Sequence, residues 1–154
     1  MQILIRTAQP EDVDFLTRGN AAMAFETEHR ALDPELLRKG VHALFEDFAR
    51  GVYYIVEVDG ERAGQMMITY EWSDWRNGNF WWIQSVWVIP EFRRHGVFRA
   101  LYSHVEALAR AAPQVCGLRL YVERENARAQ ATYEKCGMKR ADYQMFEVDF
   151  VLGR

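Results

Sequence analysis

Ser85-Val86-Trp87-Val88-Ile89-Pro90-Glu91-Phe92-Arg93-Arg94-His95-Gly96-Val97-Phe98-Arg99-Ala100-Leu101-Tyr102 is the stretch whose reading decides the fold. Its first part is an apolar, β-branched run, as a buried strand requires. Pro90 stops that run, a short basic turn with one glycine follows, and an amphipathic helix begins at Val97. A strand that feeds a helix through such a turn aims backbone N–H groups at one spot, at the positive end of the helix dipole. Arg93, Arg94 and His95 add charge there, so the residues point to an anion site. It is neither a Walker loop nor a dinucleotide fingerprint, because GxxxxGK[ST] and GxGxxG are both absent.

Working back from this stretch, residues 3–7 read as a first strand and Pro10-Glu11-Asp12 opens a helix to about Glu28, with Val13, Leu16 and Met23 inward. Asp33 as N-cap and Pro34 at the first position start a second helix, expected to end near Gly51. Strands follow at Val52–Val58 and from Arg62 to about Tyr70, joined by Asp59-Gly60, a dipeptide suited to a tight hairpin. A polar loop, residues 73–79, leads into a third strand, Phe80–Val88. Working forward, Phe98, Leu101, Tyr102, Val105, Leu108 and Ala112 recur at helical spacing until Pro113. Leu118–Val122 reads as a strand, Asn126 to about Cys136 as a helix, and Tyr143–Val151 alternates as a terminal strand should.

The resulting order is β-α-α-β-β-β-α-β-α-β across one domain, residues 1–154. Three hairpin-length strands precede the first strand–helix–strand crossover. A mixed sheet is therefore expected, mostly antiparallel, with helices on both faces. A net charge of −3 argues against a nucleic-acid partner. No apolar run is long enough to span a membrane, and Met1–Arg6 lacks the pattern of a signal peptide. Cys116 and Cys136 form no CxxC pair, which suits free thiols in a reducing cytoplasm. The four histidines have no metal spacing, and no metal is expected.

At two places the chain resembles a known family. The run Val86-x-Val88-x-Pro90-x-x-Arg93-Arg94-x-Gly96-Val97-x-x-x-Leu101 is similar to the acetyl-CoA-binding motif of the GNAT superfamily of N-acyltransferases. Leu120-x-Val122 followed by Asn126-x-x-Ala129-x-x-x-Tyr133-Glu134-Lys135-x-Gly137-Met138 resembles that family's second signature. The resemblance implies acetyl-CoA as cosubstrate. Backbone at Val86, Trp87 and Val88 would pair with the pantetheine arm, and amides of the Arg93–Phe98 turn (Arg93, Arg94, His95, Gly96, Val97, Phe98) would hold the pyrophosphate. It also implies that Asn126 helps hold the cofactor and that Tyr133 protonates the leaving thiolate. The family usually has glycine or alanine where Phe98 stands, so the Phe98 side chain is expected in the core.

An aliphatic amine with a pKa near 10.4 must lose a proton before it attacks, which costs roughly 4–5 kcal/mol at pH 7. Many family members place a carboxylate near the positions of Trp82 or Gln84, and this strand has none. Glu28 and Glu71 are the expected bases, with Glu26 nearby. All five tryptophans lie between residues 72 and 87. Strict alternation would put Trp81 and Trp87 on one face and Phe80, Trp82 and Val86 on the other. Trp72 and Trp75, beside Asp74, suit either a cage for a cationic amine or a homodimer interface. The expected function is cytoplasmic N-acetylation of a primary amine, a small molecule ahead of a protein amine. The alternative is a non-catalytic acyl-CoA-binding sensor.

Overall fold

The computed structural model describes residues 1–153. Strand β1 (Ile3–Thr7) leads through a 3-10 turn at Pro10–Asp12 into α1 (Val13–Glu28), and α2 (Pro34–Ala43) follows. The Asp33 carboxylate caps α2 by accepting from the Glu35 and Leu36 amides at 2.9 and 3.3 Å. The helix ends at Ala43 rather than near Gly51, and turns carry the chain onward with Phe48 exposed. Strands β2 (Val52–Val58) and β3 (Glu61–Ser73) meet at Asp59-Gly60. Both turn residues have positive φ, 49° and 84°, which matches the twist of a two-residue hairpin. A second hairpin, longer than the sequence suggests, joins β3 to β4 (Gly78–Val88).

Helix α3 (Val97–Ala111), β5 (Val115–Arg119) and α4 (Ala127–Lys135) complete the regular structure. The sheet runs β1-β2-β3-β4-β5, antiparallel except for the final β4–β5 pair, as the mixed-sheet expectation requires. One face packs Tyr54, Val56, Met66, Ile68 and Ile83 against Leu101 and Val105 of α3. The other packs Tyr53 and Ile55 against Phe15 and Leu16 of α1 and Val41 of α2. Leu16, Ile55, Met66, Ile68 and Leu101 are fully buried; each contributes roughly 1.5–3 kcal/mol of apolar burial.

Two expectations need correction. The terminal strand does not form: residues 143–150 join no ladder, and Phe146 and Phe150 are 91% and 93% exposed. Alternation signals a strand, but a strand exists only where another strand's edge accepts its hydrogen bonds. The second correction concerns the tryptophans. Met66 stands opposite both Ser85 and Val86, because a bulge interrupts the pairing between Gln65↔Trp87 and Met67↔Gln84. Ser85 takes the left-handed conformation there, φ 52°. One extra residue flips every side chain beyond it. Trp81 therefore packs with the α3 cluster, while Trp87 meets Phe15 of α1 with ring centroids 6.5 Å apart.

Candidate active site

The β4–β5 ladder is short. It ends at Trp82↔Arg119, beyond which β4 runs on to Val88 with no neighbour on that side. A cleft of about 820 Å³ opens where the two strands part. Val86, Trp87 and Val88 form one wall, and Gly96, Val97 and Phe98 form the floor at the start of α3. Asn126, Ala129 and Tyr133 of α4 stand opposite, and Met23, Glu26 and Thr27 of α1 close one end. The two halves resembling one family's motifs, separated in sequence, thus meet across a single cavity.

The turn into α3 has the backbone of an anion cradle. Arg94 and Gly96 both have positive φ, 66° and 76°, and Gly96 caps the helix. The first helical bond is from the Ala100 amide to the Gly96 carbonyl at 3.0 Å. The Arg93 amide donates to the Pro90 carbonyl at 3.2 Å and is taken, whereas the amides of residues 94–99 lie ahead of the first helical bond and have no helical acceptor. A Cβ on Gly96 would meet nothing within 4 Å, so glycine is required there for φ and not for space. Arg93 has other work. Its Nε donates to the Val88 carbonyl at 2.8 Å and its Nη2 to Glu26 at 2.8 Å, tying the end of β4 to α1. Charge toward a bound anion falls to Arg94, Arg99 and Arg128, which line the same cleft. His95 is exposed and lies outside the lining.

Asn126 stands at the start of α4. Its Oδ1 accepts from the Ala129 amide at 3.1 Å and caps α4. The side-chain NH2 is not used by that cap, and Asn126 lines the cleft. Tyr133 packs edge-on to Phe98, ring centroids 5.6 Å apart. Burial pushes its phenol above the ordinary tyrosine value, with Cys136 adding to the shift. It is therefore a neutral donor at every physiological pH. Phe98 packs against the core cluster as expected but stays half-buried: it touches Tyr102 and Tyr133 and faces the cleft as well.

The carboxylates are placed less simply. Glu26 lines the cleft but is ion-paired to Arg93. Glu28 ends α1 and does not line it. Glu71 on β3 accepts from Trp82 Nε1 at 3.0 Å and from Arg119 Nη1 at 2.9 Å. The Trp82 bond, then Arg119, hold its carboxyl below the usual range. Glu71 thus stands beside Trp82, one of the strand positions where a carboxylate is expected and absent. Gln84 Nε2 donates to Thr69 Oγ1 at 2.5 Å on the same sheet face. Trp72 and Trp75, 57% and 84% exposed, sit with Asp74 at the tip of the β3–β4 hairpin and do not line the cleft. Among the described residues no ring–ring contact joins these two tryptophans.

Sequence reasoning missed Met23 and Thr27 of α1 and Arg99 and Arg128 of the two cleft helices. Arg99 follows the motif turn directly and could have been found by its position there. Met23 could not, because periodicity assigned it to the core.

Comparison with known proteins agrees with this geometry. The sequence profile of the Acetyltransferase (GNAT) family matches residues 21–138. A possible acetyltransferase from Clostridium difficile 630 is 44% identical, with a TM-score of 0.90 over 98% of this chain and 99% of its own. Two more distant structures share the fold. One is the ribosomal-protein-alanine N-acetyltransferase of Brucella melitensis biovar Abortus 2308, at 17% identity and TM-score 0.77, covering 97% of this chain and 99% of its own. The other is a predicted acetyltransferase with acetyl-CoA from Clostridium acetobutylicum, at 14% identity and TM-score 0.77, covering 97% of each chain. No protein of curated function matches. The chain belongs to the GNAT acetyltransferase family.

Proposed function

We propose that this chain is an N-acetyltransferase that moves the acetyl group of acetyl-CoA to a primary amine of a small molecule. The observation that carries the reading is the cleft itself. The open edge of β4, the amides at the start of α3, and Asn126 with Tyr133 on α4 all line one cavity. A thioester seated along β4 would present its carbonyl to backbone N–H groups near Val86–Val88, where developing negative charge is stabilised. The amine attacks that carbonyl, the C–S bond breaks, and Tyr133 gives its proton to the departing sulfur.

Glu71, which like Glu28 does not line the cleft, is the carboxylate this reading retains, for its place beside Trp82. Two donors already hold it ionised, so it suits attraction of an ammonium and transfer of the released proton to water more than its storage. The nearest competing reading is an acyl-CoA sensor without turnover. One observation favours it: Glu26 and Glu71 are both already engaged by protein donors. Incubation with acetyl-CoA and a panel of small amines and amino-terminal peptides, read by release of free CoA thiol, separates the two. Amine-dependent thiol release on small amines is the expected result. Release only on peptides would move the acceptor to proteins, and tight binding with no release on any amine would leave the sensor standing.

A further inference from the structure

Three aromatic rings connect the core to the cleft. Tyr102 is buried in the cluster beneath α3. Phe98 lies four residues earlier, on the same side of the helix. Its ring meets that of Tyr102 at 6.2 Å between centroids and packs against the same cluster. Phe98 also meets Tyr133 of α4 edge-on, at 5.6 Å and an interplanar angle of 62°. This is the tilted arrangement that aromatic pairs prefer, because the positive edge of one ring meets the negative face of the other. Phe98 and Tyr133 both line the cleft.

Tyr133 needs such a support. Helix α4, which carries it, has no fully buried residue. The Asn126 cap fixes its first turn, and Cys136 and Met138 just past its end pack against the core cluster. Between these anchors, α3 reaches α4 through the Phe98 ring and through a long bond, 3.5 Å, from Arg99 Nη1 to the Lys135 carbonyl. Among the described residues, none hydrogen-bonds the Tyr133 hydroxyl and no ring other than Phe98 meets the Tyr133 ring. Packing, not bonding, therefore orients the phenol. Orientation matters to a proton donor, since a displacement of about 1 Å costs on the order of 100-fold in rate.

We propose that Phe98 is a positioning residue for proton delivery: its ring, anchored on Tyr102, holds the Tyr133 phenol in place at the cleft. This role rests on the reading of Tyr133 as general acid. The chemical step keeps its balance. The amine nitrogen bonds to the acetyl carbon, the C–S bond breaks, and the sulfur takes the Tyr133 proton. The proton lost by the nitrogen passes to water, and water restores the phenol. Other roles for Phe98 predict different kinetics. A wall for the cofactor shows in the acetyl-CoA Kd, and a mere filler of the core shows in unfolding alone.

The test is a double-mutant cycle on the full chain. Phe98→Ala and Phe98→Leu are made in the wild type and in Tyr133→Phe, whose ring still packs on residue 98. Thiol release with acetyl-CoA and the best amine of the panel gives kcat, and calorimetric titration with acetyl-CoA gives Kd. In the wild-type background Phe98→Ala should lower kcat about tenfold or more, with Kd changed less than about threefold. Phe98→Leu keeps apolar bulk and should lose only about threefold in kcat. In the Tyr133→Phe background either change should alter kcat less than about twofold, because the step it serves is gone. Equal losses in both backgrounds, an unchanged kcat, or a raised Kd with kcat kept overturn the positioning role and leave the general acid standing. A Tyr133→Phe variant as active as wild type, or a wild-type chain that turns over no amine, overturns that reading and the role of Phe98 with it. If Phe98→Ala does not fold, Phe98→Leu completes the same cycle.

Discussion

Tyr133, the proposed general acid, shows how surroundings tune a side chain. A phenol is a weak acid in water, and burial against Phe98 raises its pKa further. That keeps the proton available to a thiolate at neutral pH. Tyr133→Phe removes the hydroxyl and keeps the ring that packs on Phe98. Turnover should fall about 100-fold or more, with the acetyl-CoA Kd changed less than about threefold; unchanged turnover in steady-state assays would sink the general-acid assignment. The carboxylates make a second prediction. Glu71 titrates below the usual range, held there by Trp82 and Arg119, so proton loss by the acceptor is governed by the amine's own pKa. Only the neutral amine attacks, and its fraction grows as pH rises. kcat/KM should therefore climb about tenfold per pH unit above neutrality, toward the amine's pKa. A plateau already reached at pH 6–7 would instead reveal a protein base.

At the scale of elements, the site depends on three local irregularities: the bulge at Ser85, the left-handed pair Arg94 and Gly96, and the early end of the β4–β5 ladder. Gly96→Ala isolates the second of these, because the added methyl meets open space and only the φ of 76° opposes it. It should cost about 1 kcal/mol in urea unfolding and raise the acetyl-CoA Kd several-fold; a variant that binds acetyl-CoA as tightly as wild type would show the turn geometry to be dispensable. The regular elements were legible in the sequence because hairpin turn, N-cap and helical period are encoded within a few neighbouring residues. Asp59-Gly60, Asp33-Pro34 and the Phe98–Val105 stripe are examples. The bulge was not legible. Nothing in Gln84-Ser85-Val86 demands an extra residue; the pairing with Met66 does, and it reverses the face on which Trp87 lies. Gln65 supports that irregularity from a fully buried position, its Nε2 donating to the Ser85 carbonyl at 3.1 Å.

Across the whole molecule, the buried carboxylate of Asp12 binds the start of α1 to both β1 and β3. It accepts from Arg6 at 2.7 and 3.0 Å, from Arg62 at 2.7 Å and from the Gln9 amide at 2.7 Å. Burial pushes its pKa up, but the Arg6, Gln9 and Arg62 bonds outweigh it and hold the group at about 2 against an ordinary 3.8. A depressed carboxylate pKa stabilises the fold above the unfolded value, and the contribution fades as pH falls through the folded one. The linkage is worth about 2 kcal/mol at neutral pH. Asp12→Asn should lose about 2–5 kcal/mol at pH 7. The gap to wild type in urea midpoints should close as pH drops from 3.8 toward 2; a gap that stays constant over that range would show the cost to be steric, not ionic. No such tie could be read from the sequence, since Arg6, Asp12 and Arg62 are ordinary surface residue types until the chain brings them together.

The sequence by itself determined the order of elements as far as α4, the antiparallel-then-parallel sheet and the basic strand–turn–helix junction before α3. All of these follow from short-range periodicity, turn chemistry and motif spacing. Tertiary structure alone decided that β4 and β5 part at Trp82, that Arg93 serves Glu26 and Val88, and that Glu71 accepts from both Trp82 and Arg119. It also decided that residues 143–151, a strand by pattern, have no strand beside them. The physical reason is common to these cases. A hydrogen bond or ion pair needs a partner at a distance and angle that only the folded chain specifies, whereas periodicity needs nothing beyond the chain's own neighbours.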